Sequence, residues 1–175
     1  MKNNKVTLRP VEPEDLDLLY EWENDTENWL VSGISTPYSK NTLKNYLLSI
    51  QDIYNDKQLR LIIVGENNVN FGVLDFFDFD QKNKRLGIGI LIDKDFRNQG
   101  IGKKALQKAI IYCFETLYLH QIYCNVMASN THSIKLFESL CFVKCGDKKD
   151  WIQTKEGWTN EYTYQLINKQ IQKSN

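Results

Sequence analysis

Residues 86–117 constrain the fold more than any other stretch. Residues 86–93 are an almost unbroken apolar run that ends at Asp93, as expected of a buried strand. A short turn follows in residues 96–106, FRNQGIGKKAL. Gly102, Ala105, Leu106, Ala109, Ile110, Cys113, Phe114 and Leu117 then recur at helical spacing over four turns. A strand that passes through a glycine-bearing turn into a long amphipathic helix needs a sheet with that helix on its face.

The rest of the chain supplies the other strands. Residues 6–9 alternate and read as a first strand, and Pro13 suits the first turn of a helix over 13–23. Residues 24–38 are loop-rich. Ser39 is a suitable N-cap for one helix through Tyr54, with Leu43, Tyr46, Leu47 and Ile50 inward. Strands are predicted over 59–64, 69–79, 85–93 and 121–127, a short helix over 130–140, and two last strands near 142–152 and 158–167. The predicted order is β-α-α-β-β-β-α-β-α-β-β. This is an α/β (α+β) fold with a mixed, mostly antiparallel central sheet flanked by helices. The 175 residues suit one domain spanning 1–175, with an ordered core over about 6–168.

Composition excludes several classes. No run approaches a membrane span, and the N-terminus lacks the apolar core of a signal peptide, so a cytoplasmic location is expected. The four cysteines are then free thiols, and the Cys141/Cys145 spacing along a strand is too long for one metal ion, so no metal is expected. The net charge is zero but divided: residues 1–80 hold 7 Lys/Arg and 14 Asp/Glu, residues 81–175 hold 15 and 8. That asymmetry fits a basic nucleic-acid face, or an anionic and a cationic ligand held by different halves, or two solvated faces.

Three phosphate-binding patterns compete for the turn. A P-loop needs G-x-x-x-x-G-K-[ST], which is absent. Gly87-Ile88-Gly89 begins a dinucleotide fingerprint, but position 92 is isoleucine and the run lies inside a strand. The remaining pattern is a helix N-terminus, where the first amides have no intrahelical partner and the dipole attracts anions. Gly100 and Gly102 would let an oxygen approach, with Arg97, Lys103 and Lys104 adding charge. A plain capped helix start explains the same glycines.

The larger pattern decides. Arg97-Asn98-Gln99-Gly100-Ile101-Gly102 fits the [QR]-x-x-G-x-[GA] motif of the GNAT superfamily of N-acetyltransferases, which the chain resembles. Residues 130–142 fit a second signature, N-x-x-[SA]-I-x-[LI]-[YF]-x-x-x-G-F, with Cys141 in place of the usual glycine. Thr7-Leu8-Arg9-Pro10, Asp15-Leu16 and Trp22-Glu23-Asn24-Asp25 are similar to the branch that holds ribosomal-protein and spermidine N-acetyltransferases.

The resemblance implies an enzyme that uses acetyl-CoA. It assigns the diphosphate to the backbone of Asn98, Gln99, Gly100, Ile101, Gly102 and Lys103, with Arg97 beside them. The pantetheine arm falls to the backbone of Leu91 and Ile92, and the other wall to Asn130, Ser133 and Phe137. Attack by an amine needs a neutral nucleophile and stabilised oxygen and sulfur. Phe137 stands where many relatives carry the tyrosine that protonates sulfur, and Gly87 lies in the segment where they often carry a glutamate base. Asp75 and Asp78 are the nearest candidates for a base or an ammonium ligand; in a regular strand they face opposite ways. His120 and His132 fit a helix end and a helix cap.

The helices lining the acceptor channel in this family fall in the acidic half here. Glu23, Asp25, Glu27 and Trp29, with Trp22 and Tyr38, are candidates for holding a cationic amine. A polyamine such as spermidine is the expected acceptor, and a protein N-terminus the alternative. A CoA-binding module with little turnover, or one using the basic half for nucleic acid, is the rival class. Neither nucleic acid nor membrane is the expected partner, and the resemblance implies a homo-oligomer.

Overall fold

The computed structural model describes residues 5–32, 36–49 and 52–169. The alternating runs become strands β1 (Thr7–Pro10), β2 (Leu59–Val64), β3 (Asn70–Asp80), β4 (Arg85–Ile92), β5 (Gln121–Met127), β6 (Val143–Thr154) and β7 (Gly157–Ile167). They form one sheet in the order β1-β2-β3-β4-β5-β7-β6. Every neighbouring pair is antiparallel except β4–β5, which is parallel. The expected α/β architecture is the one observed.

Side-chain alternation gives the sheet two apolar faces. Ile62, Val64 and Val73 pack with Leu19 and Trp22 of α1 (Leu16–Asn24) and Leu43 and Leu47 of α3 (Lys40–Leu48). Ile63, Leu74, Phe76, Leu86 and Ile88 point the other way. They meet Ala105, Leu106 and Ala109 of α5 (Ile101–Ile111) and Phe137 of α6 (Thr131–Glu138). Burying this many Ile, Leu and Phe side chains, at roughly 1.5–3 kcal/mol each, is the main stabilising term.

The segment between β1 and β2 differs from expectation. Residues 24–38 are not all loop: α2 (Thr26–Ser32) follows directly on Asp25, whose carboxylate accepts from the Glu27 amide at 3.0 Å. Ser39 caps α3 as expected, accepting from the Thr42 amide at 3.1 Å. That helix stops at Leu48 instead of running to Tyr54. Ser49 turns extended while its hydroxyl donates to the Tyr46 carbonyl at 2.5 Å, a local bond that competes with the helix. A separate turn, α4 (Ile53–Asp56), is capped by Asp52, which accepts from the Tyr54 amide. Ile50, expected inward, lies outside the described residues.

The histidines also differ. The long helix ends in a π turn over Tyr112–Thr116, so His120 does not terminate it. The His120 amide instead donates to the Lys84 carbonyl at 2.7 Å as β5 begins. Asn130, not His132, caps α6, accepting from the Ser133 amide at 3.1 Å.

Candidate active site

The parallel pair β4–β5 creates the site. Their pairing holds only for Arg85↔Gln121, Leu86↔Ile122 and Gly87↔Tyr123. Beyond it β4 continues to Ile92 and β5 to Met127 without pairing to each other, so the sheet opens in a notch. Both strands end on the same side, and each leads into a helix: α5 after β4, α6 after β5. Two helix N-termini therefore flank the notch, an arrangement that favours an anionic ligand with an extended arm.

Strand alternation shows which amides line it. The Asp93 N–H donates to the Phe71 carbonyl at 2.9 Å, and the β3–β4 register is unbroken from Gly72↔Ile92 to Phe77↔Gly87. Bonded residues alternate in such a ladder. Leu91 and Gly89 therefore bond toward β3, whereas Ile90 and Ile92, past the last β4–β5 pair, turn their amides to the notch. Of the two backbones expected to meet a ligand, Ile92 turns its amide to the notch and Leu91 turns its amide to β3. Its neighbour Ile90 takes that place at the notch.

At the start of α5 the turn has the shape of an anion cradle. Asn98 and Gly100 are both left-handed, at φ 61° and 76°. A Cβ on Gly100 would have nothing within 4 Å, and the first turn holds no acidic residue. The first intrahelical bond runs from the Lys104 amide to the Gly100 carbonyl, so the amides of Ile101, Gly102 and Lys103 precede it. At Gly102 an added Cβ would meet Leu136 and Ile92 at 3.4 and 3.5 Å, ordinary contacts, so packing does not demand glycine there. The Ile101 side chain is buried in the core. Arg97 braces the turn: its Nε donates to the Ile92 carbonyl and its Nη2 to Asn28 Oδ1, both at 3.0 Å. Gln99 likewise donates to the Asp95 carbonyl at 3.0 Å. Arg97 and Gln99 thus shape the cradle, while Lys103 is exposed beside it.

The opposite sheet face carries charge. Asp75 lies between Arg60 and Gly89 in register, at the unpaired part of β4. Arg60 donates to both Asp75 oxygens, at 2.6 Å from Nε and 3.1 Å from Nη2, and through Nη1 to Glu23 of α1. The Tyr46 ring stands 6.0 Å from the guanidinium. Burial alone would lower the Arg60 pKa, but the two carboxylates outweigh it and raise it. One cation with two carboxylates leaves this cluster negative. Sequence reading found Glu23 and Asp75 but missed Arg60; its signal was a lone charge inside the apolar run of β2, in register with Asp75 of β3.

Asp78 is not where strand alternation predicts. A bulge between Phe77 and Asp80 puts Asp78 at φ 50° and reverses the alternation, so that Phe79 enters the core with Phe76. Asp78 therefore shares the side of Asp75 and Phe77, and its Oδ2 accepts from the Tyr123 hydroxyl at 2.9 Å. Burial, reinforced by that carboxylate, pushes the Tyr123 pKa up to about 12. The Phe77 ring lies across Gly87: an added Cβ would fall 2.2 Å from Phe77 Cε2. Any side chain at position 87 would have to displace that ring.

The remaining candidates separate. Asp25 and Glu27 shape the start of α2, away from the Arg60 cluster's hydrogen bonds. Trp29 donates its indole N–H to the Glu23 carbonyl at 2.8 Å, and Trp22 is buried with its own N–H on Asp93. Trp22 is core rather than an ammonium surface. Phe137 is buried edge-on to Phe142, with ring centres 5.1 Å apart. Ser133 is half-buried at the start of α6. Cys141 is left-handed at φ 67°, which explains why glycine is usual in that signature.

Comparison with known proteins agrees with this geometry. Residues 5–143 match the family model described as an acetyltransferase (GNAT) domain. An uncharacterized N-acetyltransferase, p20, from Bacillus licheniformis is 31% identical over 95% of this chain and 94% of its own. A putative ribosomal N-acetyltransferase, YdaF, from Bacillus subtilis is 27% identical, covering 85% and 83%. Spermidine N-acetyltransferase from Vibrio cholerae, solved with CoA and spermine, superposes with a TM-score of 0.85 at 18% identity, covering 93% and 95%. The same enzyme has been solved as a dodecamer, with a TM-score of 0.81 at 20% identity over 97% and 98%.

Proposed function

Because the chain belongs to the GNAT family of acetyltransferases, we propose that it transfers acetyl to a cationic primary amine, with a polyamine such as spermidine as the acceptor class. It is an enzyme of that family, and acetyl-CoA is its donor. Acetyl-CoA supplies the acyl thioester; the protein supplies position and charge. The amides of Ile101, Gly102 and Lys103 suit the diphosphate, since the cradle is open and free of acid. The amides of Ile90 and Ile92 suit an extended arm, and the Ile90 N–H, turned to the notch, suits an acyl oxygen.

One observation carries the acceptor reading: the row Arg60–Asp75–Gly89 sets a net-negative cluster on the unpaired edge of β4. Asp75 can accept a hydrogen bond from an approaching ammonium and draw its proton away. Phe137 cannot protonate the leaving sulfur. A thiol of ordinary pKa, about 8.5, leaves as thiolate without that help. The Vibrio cholerae spermidine enzyme supports the polyamine reading. The Bacillus subtilis relative favours a second one, in which the amine is a protein N-terminus. A weakly active CoA-binding module is the rival that Phe137 favours.

Thiol release from acetyl-CoA with a panel of amines tests all three. Turnover on spermidine and other polyamines supports the proposal. Turnover confined to peptide N-termini supports the second reading, and CoA binding without release supports the module. Light scattering tests the accompanying proposal of a homo-oligomer.

A further inference from the structure

We propose that Arg60 is a positioning residue of the transfer, acting through Asp75 and setting the charge of the acceptor side. The inference rests on the acceptor reading above. Asp75 is the carboxylate beside Gly89, in the register position that borders the notch. Alone it would turn about its χ angles and sample several directions. The Arg60 fork holds both its oxygens from β2, the strand behind. A planar guanidinium bonded at two points fixes direction as well as charge, which an ammonium cannot do.

The third arm of the fork extends the effect. Nη1 binds Glu23, so the acidic helix α1 is tied to the strand carrying Asp75. Both carboxylates are mostly withdrawn from water, with side-chain exposures of 11% for Glu23 and 32% for Asp75. Arg60 stands between them, and one cation against two carboxylates leaves one formal negative charge over. That surplus matches an ammonium group, and its direction is set by the fork.

The test compares wild type with Arg60→Lys, using a cationic diamine and hydroxylamine as acceptors. Hydroxylamine is already neutral at pH 7 and needs no proton removed before it attacks; the proton it sheds afterwards goes to the departing thiolate or to water. Lysine keeps the charge but loses the fork. The expected result is a fall in kcat of about tenfold for the diamine, a part of the roughly 10²–10⁴-fold that a positioned general base contributes. KM for the diamine changes less than twofold, and hydroxylamine turnover and CoA affinity stay level. Arg60→Lys combined with Asp75→Asn is then no slower than Asp75→Asn alone.

Equal loss with both acceptors marks a merely structural role and overturns the proposal, as does unchanged kcat or full additivity. If Arg60→Lys does not fold, as judged by circular dichroism, Asp75→Glu takes its place. It keeps the charge and shifts the carboxylate within the fork; the same diamine-only loss is expected, and an unchanged kcat overturns the proposal. Wild-type turnover on hydroxylamine but on no cationic amine overturns the acceptor reading and this inference with it. Wild-type diamine turnover with an indifferent Arg60→Lys overturns this inference alone.

Discussion

Arg9 and Arg60 each grip an aspartate with two hydrogen bonds, but the clusters differ in stoichiometry and reach. Arg9 meets Asp15 six residues away, with both contacts at 2.7 Å, and the carboxylate also accepts from the Glu12 amide at 2.8 Å. One cation faces one anion, and Asp15 is buried where the chain turns from β1 toward α1. Arg60 instead joins Glu23 and Asp75, which lie 37 and 15 residues away, and one cation faces two anions. The balanced pair closes a turn. The unbalanced one keeps charge to spare beside the notch. A neutralised cluster is suited to holding the fold and a surplus cluster to holding a ligand.

Substitutions sharpen this contrast. Asp15→Ala has the largest expected effect, a loss of about 3 kcal/mol, because it strands a partly buried guanidinium and an amide. Urea denaturation checks it, and CoA affinity of the folded fraction stays unchanged. The same pair responds to acid. Burial raises the Asp15 pKa, but the Arg9 and Glu12 hydrogen bonds outweigh it and hold the group below its ordinary value. Its stabilisation is therefore full above the unfolded value of about 3.9 and lost as pH falls through the folded one. Asp15→Asn flattens that part of the pH–stability curve.

Gly87→Glu comes next. It drives a side chain into the Phe77 ring, at a cost of about 2–3 kcal/mol. Adding Phe77→Ala recovers part of that loss in the same denaturation assay; no recovery would mean that the ring is not the obstacle. At the surplus cluster the effect is kinetic. Asp75→Asn lowers kcat for a cationic amine by roughly tenfold or more, and Glu23→Gln raises its KM by roughly tenfold, about 1.4 kcal/mol, with CoA affinity unchanged in both. Asp78→Asn has a smaller effect of the same sign, since Asp78 stands off the Arg60 row with Tyr123. An Asp15 variant with a raised KM and normal stability would erase the distinction between the two clusters.

The smallest effect is a gain. Cys141→Gly relieves a left-handed residue after α6 and stabilises by about 1 kcal/mol, read as a higher denaturation midpoint. Kinetics stay level, because the position lies outside both clusters.

How much of this was legible in advance depends on the distance along the chain over which each feature is made. The strand–turn–helix of residues 86–117 was readable because its parts are consecutive: apolar run, glycine turn, helical period. So were the Ser39 cap and the seven strands. The break after Leu48 was not, because Ser49 hydrogen bonds compete with a periodicity that continues past them. Asp78 was assigned to the wrong face because one bulge reverses strand alternation, and nothing in residues 77–80 announces it.

The sequence alone thus determined the α/β class, the family signatures and the glycine turn into α5, whose exposed backbone amides need only local conformation. The tertiary structure decided what the side chains do. Only strand register brings Arg60 to Asp75 and Asp75 to Gly89, and only packing lays Phe77 over Gly87. Helix periods and turn preferences are set by nearest neighbours. A charge cluster across three elements depends on which strands pair, and that is settled when the whole core is buried.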